Sequence, residues 1–235
     1  MFRGEHPELG RVVGNACTLA RGLGQVRTGS EHLLLALTTG DGTVAGVLAR
    51  HGVTTAAVRR AAHLAEPTGA GAAADREALA ALGVRLDALS RPDGVTLLDH
   101  PPAREPLRPL GVVAARRRCA RMHPPLGVDA QAAYEAALRL ALARREREHR
   151  PEHLALALLA LDPGVAWMLA TANVDAQALR ATLGAVFRSP QRNPLLHVER
   201  RLGQGGRRRD IVRRYQRTTG RAATAGPALA AVICG

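Results

Sequence analysis

Residues Glu31–Ala62 read EHLLLALTTGDGTVAGVLARHGVTTAAVRRAA, and Glu152–Leu183 read EHLALALLALDPGVAWMLATANVDAQALRATL. The second stretch lies 121 residues after the first, aligns with it without a gap and repeats 14 of its 32 positions. Glu-His opens both copies, Asp41 matches Asp162, and Leu48 matches Leu169. Self-similarity of this kind implies one structural unit used twice. Each copy reads as three helices. An apolar run (Leu33 to Leu37; Leu154 to Leu161) predicts a helix buried on most sides. Asp41-Gly42 and Asp162-Pro163-Gly164 supply turn chemistry. A second helix then runs to Gly52 or Asn173, residue types that tolerate the left-handed conformation closing a helix. The third starts at Thr54 or Asp175, both good N-caps.

Upstream, Val12, Val13, Ala16, Leu19, Ala20 and Leu23 form a helical stripe ahead of the first copy. Tyr134, Ala137, Leu138, Ala141 and Leu142 do so ahead of the second. The expected fold is all-α: two pseudo-symmetric four-helix repeats at residues 1–63 and 128–187. Residues 64–127 are expected to be a linker with a partial helical repeat. Within it, Leu79–Arg91 resembles Leu48–Arg60, with Gly83 in the place of Gly52. Pro92–Pro125 holds seven prolines and six arginines, the composition of an exposed connector. Residues 188–235 read as a disordered, Arg-rich tail with one short helical candidate at 210–217.

The chain has 235 residues, only 2% of them aromatic, so Ala, Leu and Val must fill the core. The formal charge is +13, and every basic residue is arginine. From Arg188 onward there are eleven arginines against two acids, so a surplus of nine belongs to the tail. Without lysine, neither a phosphate-binding G-x-x-x-x-G-K-[ST] loop nor Schiff-base chemistry is available. No apolar run of about 18 residues is present, which sets the expectation of a cytoplasmic protein that does not engage membranes. Cys17, Cys119 and Cys234 are too scattered for a zinc site or a disulfide framework. His149-x-x-Glu152-His153 matches an inverted zinc-peptidase pattern in form, but Pro151 interrupts the single helix that pattern needs. No metal, cofactor or catalytic residue is expected.

Gly29-Ser30-Glu31-His32-Leu33-Leu34-Leu35-Ala36-Leu37, followed by a Gly-rich turn, Val-Ala-x-x-Leu and Gly-Val, resembles the Clp N-terminal (R) domain of the ClpC branch. The resemblance covers about half of the chain and is stronger in the first copy. It implies a stand-alone N domain without AAA+ ATPase modules, and binding rather than catalysis. The implied partners are protein substrates or adaptors and a Clp AAA+ unfoldase or protease. It also implies recognition of phosphorylated arginine. A helix N-terminus suits the phosphate, and a neighbouring carboxylate suits the guanidinium. Ser30 and Glu31 offer both, with Glu152 as the counterpart of Glu31. Without a ligand, the same acids are favoured at a first helical turn by the helix dipole. His32 and His153 read as packing or capping residues. The second reading is binding of nucleic acid or an acidic partner through Arg207, Arg208, Arg209, Arg213 and Arg214, with Tyr215 for stacking.

Overall fold

The computed structural model describes residues 2–84, 112–187, 194–225 and 229. The first copy contributes α1 (Pro7–Gly22), α2 (Ser30–Thr38), α3 (Thr43–Arg50) and α4 (Thr55–Ala65). Next come α5 (Ala70–Ala80) and α6 (Val112–Cys119). The second copy contributes α7 (Val128–Ala143), α8 (Pro151–Leu161), α9 (Pro163–Thr171) and α10 (Ala176–Val186), and α11 (Pro194–Thr219) follows. The starts of α1, α2 and α4 recur 121 residues later at α7, α8 and α10. Among the described residues the fold is therefore all-α but for two dipeptide strands.

Local chemistry sets the helix ends. Thr54 and Asp175 accept backbone N–H bonds from the first turns of α4 and α10, which satisfies orphan amides. α3, α5 and α9 all close with one turn. Gly52 and Gly83 take positive φ (80° and 76°), as does Asn173 (54°). In each case the next residue, a valine, donates its amide five residues back, to Leu48, Leu79 or Leu169. The second helix of the Leu79–Arg91 resemblance lies outside the described residues.

α2 and α8 form the centre. Leu33 to Leu37 are at most 2% exposed, as are Leu154 to Leu161. Each buried leucine contributes about 1.5–3 kcal/mol relative to an exposed one. α8 packs along α7, α1 along α2, and α9 crosses α5. Two short parallel pairings lace the copies together. Gly4–Glu5 (β1) pairs with Glu148–His149 (β2), and Thr28 bridges Leu126. These are one arrangement seen twice. The His6 amide bonds the His149 carbonyl at 2.8 Å, and the Gly127 amide bonds the Thr28 carbonyl at 3.0 Å, with both partners shifted by 121 positions.

Three expectations are corrected. The tail is not disordered over 194–225: α11 is a 26-residue helix packed against α7. Ile211 and Tyr215, four apart, are 3% and 2% exposed, so one face of an arginine-rich helix reaches the core. The Gly/Ala-rich stretch after Pro67 is linker only as far as Gly69, because α5 starts at Ala70. Its small residues serve close approach: a Cβ on Gly164 would stand 2.6 Å from the Gly71 nitrogen. The connector also holds α6, which seats Cys119 at 1% exposure and pairs Arg116 with Glu135 of α7. Residues 92–111 lie outside the described residues.

Asp162 ties these parts together at 1% exposure. It caps α9 through the Val165 amide at 2.8 Å. It also accepts the Ser30 hydroxyl of α2 at 3.1 Å and the Tyr215 hydroxyl of α11 at 3.1 Å. Burial, with the Asp129 charge adding, pushes its carboxyl up to about 7 against the three donors.

Three outcomes are expected. Gly164→Ala must force α9 off the α5 backbone and should cost about 1–3 kcal/mol. Gly46→Ala, in α3 with nothing near its Cβ position, should instead gain about 0.5–1 kcal/mol; chemical denaturation reads both. The raised Asp162 carboxyl holds its proton in the folded state between about pH 4 and 7, where the unfolded carboxyl has released it. Its contribution to stability therefore falls as pH rises through that window. His149, buried and held neutral by that burial, acts in the opposite sense on acidification, so Asp162→Asn is the reference. Wild-type stability minus that of Asp162→Asn, from urea midpoints, should shrink from pH 5 to pH 8; a constant difference would count against a raised Asp162.

Candidate functional site

The start of α2 combines a helix N-terminus, a carboxylate and an open hollow. Gly29 is the N-cap, with extended backbone (φ −82°, ψ 175°). Its amide donates to His32 Nδ1 at 3.0 Å. In the second copy the Arg150 amide donates to His153 Nδ1 at 3.1 Å. The histidine of each Glu-His pair thus does the work that Glu or Gln performs in a standard capping box.

Glu31 folds back over Gly29, where a Cβ would overlap its carboxylate. Its side chain is 12% exposed, and Oε1 lies 3.2 Å from His32 Nδ1. Burial by itself would raise this carboxyl. The His32 ring and the amides of Glu31 and Ala70 outweigh it and hold the group below the usual carboxylate range. Ala70 begins α5, so the N-termini of two helices converge on one carboxylate. Of the α2 amides that the sequence offers to a phosphate, that of Glu31 is taken up by its own carboxylate. Ser30 does not face outward either, because its hydroxyl is spent on Asp162 in the core.

Beside Glu31 lies a hollow of about 220 Å³ lined by Leu23, Glu31, His32, Leu35, Arg59, Ala62, His63 and Glu66. Leu23, Leu35 and Ala62 give it an apolar side, Leu23 is half exposed at the rim, and Arg59, His63 and Glu66 are exposed on and after α4. The volume is below the roughly 300–1,000 Å³ of small-molecule pockets and suits one side chain of a polypeptide.

The corresponding place in the second copy is filled. Arg144 stands where the first copy has Leu23. Its guanidinium, on a side chain 3% exposed, lies 2.6 Å from Glu146 and also donates to the Phe187 carbonyl. Phe187 stands where the first copy has Glu66. Glu146 in turn lies 3.2 Å from His153 Nε2. Burial would raise the Glu146 carboxyl, but His153 and Arg144 bring it down to about 2. Glu152, 16% exposed, lies 3.9 Å from Arg150 and does not line the first-copy hollow. The structure therefore does not bring Glu31 and Glu152 into one site. Sequence reasoning missed Leu23, Arg59, His63 and Glu66. The signal was the mismatch of Leu23 with Arg144 and of Glu66 with Phe187 when the copies are aligned.

The other candidates resolve as follows. Cys17 and Cys119 are buried and free, and burial, with the Glu135 charge adding, pushes the Cys119 thiol up to about 12. His149 lies in β2 and His153 in α8, with ring centroids 6.2 Å apart and Pro151 opening the helix between them. Among the described residues no three metal-ligating side chains gather, and no single helix is long and apolar enough to cross a membrane. On α11, Arg209 and Arg213 are exposed, while Arg214 pairs with Asp210 at 2.8 Å and Arg207 and Arg208 are half-buried. Tyr215 cannot stack on a base, because its ring is buried and its hydroxyl is bonded to Asp162.

Comparison with curated proteins gives no match. A family model does match residues 7–89, which hold α1 to α5, and it describes the Clp repeat (R) N-terminal domain. The Glu-His start of α2, the hollow beside it and the closing Gly-Val turn of α3 all fall inside that match. Over residues 7–89, about a third of its length, this chain is thus similar to the Clp repeat (R) N-terminal domain family.

Proposed function

We propose that this protein is an accessory or adaptor-like component of Clp-type regulated proteolysis. In this reading the hollow beside Glu31 takes a basic side chain, arginine or phosphoarginine, from a substrate or adaptor polypeptide. The observation that carries it is the contrast between the copies. Where the first copy leaves a hollow, the second places a guanidinium of its own, Arg144, against a carboxylate and a backbone carbonyl. A volume that accommodates an internal arginine in one copy is suited to an external one in the other.

The chemistry of the lining fits that ligand. Leu23, Leu35 and Ala62 can cover the aliphatic stem of an arginine, and Glu31, held in its ionised form, can accept from the guanidinium. A phosphate on that guanidinium would meet Arg59 and His63 of α4 rather than the Glu31 amide, which the Glu31 carboxylate occupies. Binding needs only this complementary surface; nothing in the hollow is arranged as a nucleophile with a base.

Calorimetry with an arginine peptide and its phosphoarginine counterpart tests the reading. The parent protein should bind at least one of them. Glu31→Gln, which keeps hydrogen-bonding capacity but not charge, should weaken it about tenfold or more, the effect of one charge-assisted bond. Leu23→Arg, which imitates the filled second copy, should abolish it. Absence of binding by the parent protein to either peptide would overturn the proposal. The second reading, nucleic-acid or acidic-partner binding through the α11 arginines, predicts salt-sensitive affinity for nucleic acid that Arg209→Gln with Arg213→Gln weakens; nucleic-acid affinity unchanged in that double variant would dispose of it.

A further inference from the structure

The C-terminal segment is held in the manner of a bound peptide. α11 stops at Thr219, Gly220 turns the chain with φ 72°, and residues 221–225 continue without helix. Arg221 then enters a socket between α5 and α7. Its Nε lies 3.0 and 2.8 Å from the two oxygens of Asp75, and Nη2 lies 2.6 Å from Asp75 Oδ2. Nη1 donates to the Asp129 carboxylate. All three guanidinium nitrogens are engaged by two carboxylates from separate helices, the fork geometry that arginine supplies and lysine does not.

The socket has a shaped floor. A Cβ on Gly71 would stand 2.9 Å from Arg221 Nη1 and overlap the Asp129 carboxylate. Four residues after Arg221, the Ala225 amide donates to the Ala160 carbonyl at the end of α8, at 2.9 Å. Ala223 packs against the core, and Leu229 is fully buried. A forked cation, a main-chain bond and apolar anchors in sequence are how short extended segments are recognised. The side chains of Arg221, Asp129 and Asp75 are 15%, 20% and 26% exposed, so solvent reaches the socket.

We infer that Asp75 and Asp129 form an arginine socket for an extended polypeptide segment, occupied in cis by Arg221, and that an arginine side chain of a second polypeptide takes the same place when the C-terminal segment lifts. Emptied, the socket leaves two acids facing each other, with Glu31 adding its charge on Asp129. That repulsion favours refilling by another cation. The cis segment competes at an effective concentration on the order of millimolar, so it excludes weak ligands. This inference does not rest on the Glu31 hollow, whose lining excludes Asp75 and Asp129.

The test uses the full chain and the probe N-acetyl-arginine methylamide. Arg221→Ala should melt several degrees below the parent, and the probe at about 20 mM should recover at least half of that loss saturably. The lysine analogue should recover little, the parent should not respond, and the double variant Arg221→Ala with Asp75→Asn should not recover. Arg221→Lys keeps the positive charge and should show the same arginine-selective recovery at smaller amplitude, which serves where Arg221→Ala gives too little folded protein. No recovery in either variant, or equal recovery with the lysine analogue, would overturn the socket.

Discussion

A single buried carboxylate, Asp162, sets the terms for much of this molecule. It accepts donors from α9, α2 and α11, one from each of three parts of the chain. An ionisable group this deep is costly unless its hydrogen bonds are made. The N-terminus of α2, the start of α9 and Tyr215 must therefore be in place together. The C-terminal helix is accordingly a component of the core rather than an appendage.

The two copies illustrate how a repeat diverges in use while keeping its frame. Both anchor the second helix through a histidine ring on an N-cap amide, and both exchange a short parallel pairing with the other copy. The differences lie at the ends of the helices. Leu23 leaves a hollow where Arg144 fills one, and Asp41 is exposed where Asp162 is buried. Among the described residues, the hollow beside the second helix is open in the first copy. Carboxylate and guanidinium also recur as partners elsewhere, in Arg144 with Glu146 and in Arg221 with Asp75 and Asp129. In a chain whose every basic side chain is arginine, planar forked pairs are the available way to stabilise partly buried acids.

Much of the frame was legible before any coordinates. The caps at Thr54 and Asp175, the left-handed closures at Gly52 and Asn173 and the all-apolar α2 and α8 follow from residue types acting over a few positions. Glu31 was legible as a first-turn acid. That its carboxylate would also take the Ala70 amide was not, because nothing local to Glu31 announces α5. Ser30 misled for the same reason: a hydroxyl at an N-terminus reads as available until a partner 132 residues away claims it. In the tail, charge density outweighed a two-residue apolar signal, Ile211 and Tyr215, whose value depends on α7 being there to cover it.

The sequence alone determined the helices, their ends and the doubled unit, because capping, turn chemistry and hydrophobic periodicity act within a few residues. Tertiary structure decided which copy keeps its hollow open, which of two equivalent aspartates is buried, and that α11 docks. Those outcomes depend on contacts more than a hundred residues apart in the chain for Ser30 with Asp162 and for Arg221 with Asp75. There, burial and charge pairing, rather than local propensity, determine what each side chain is free to do.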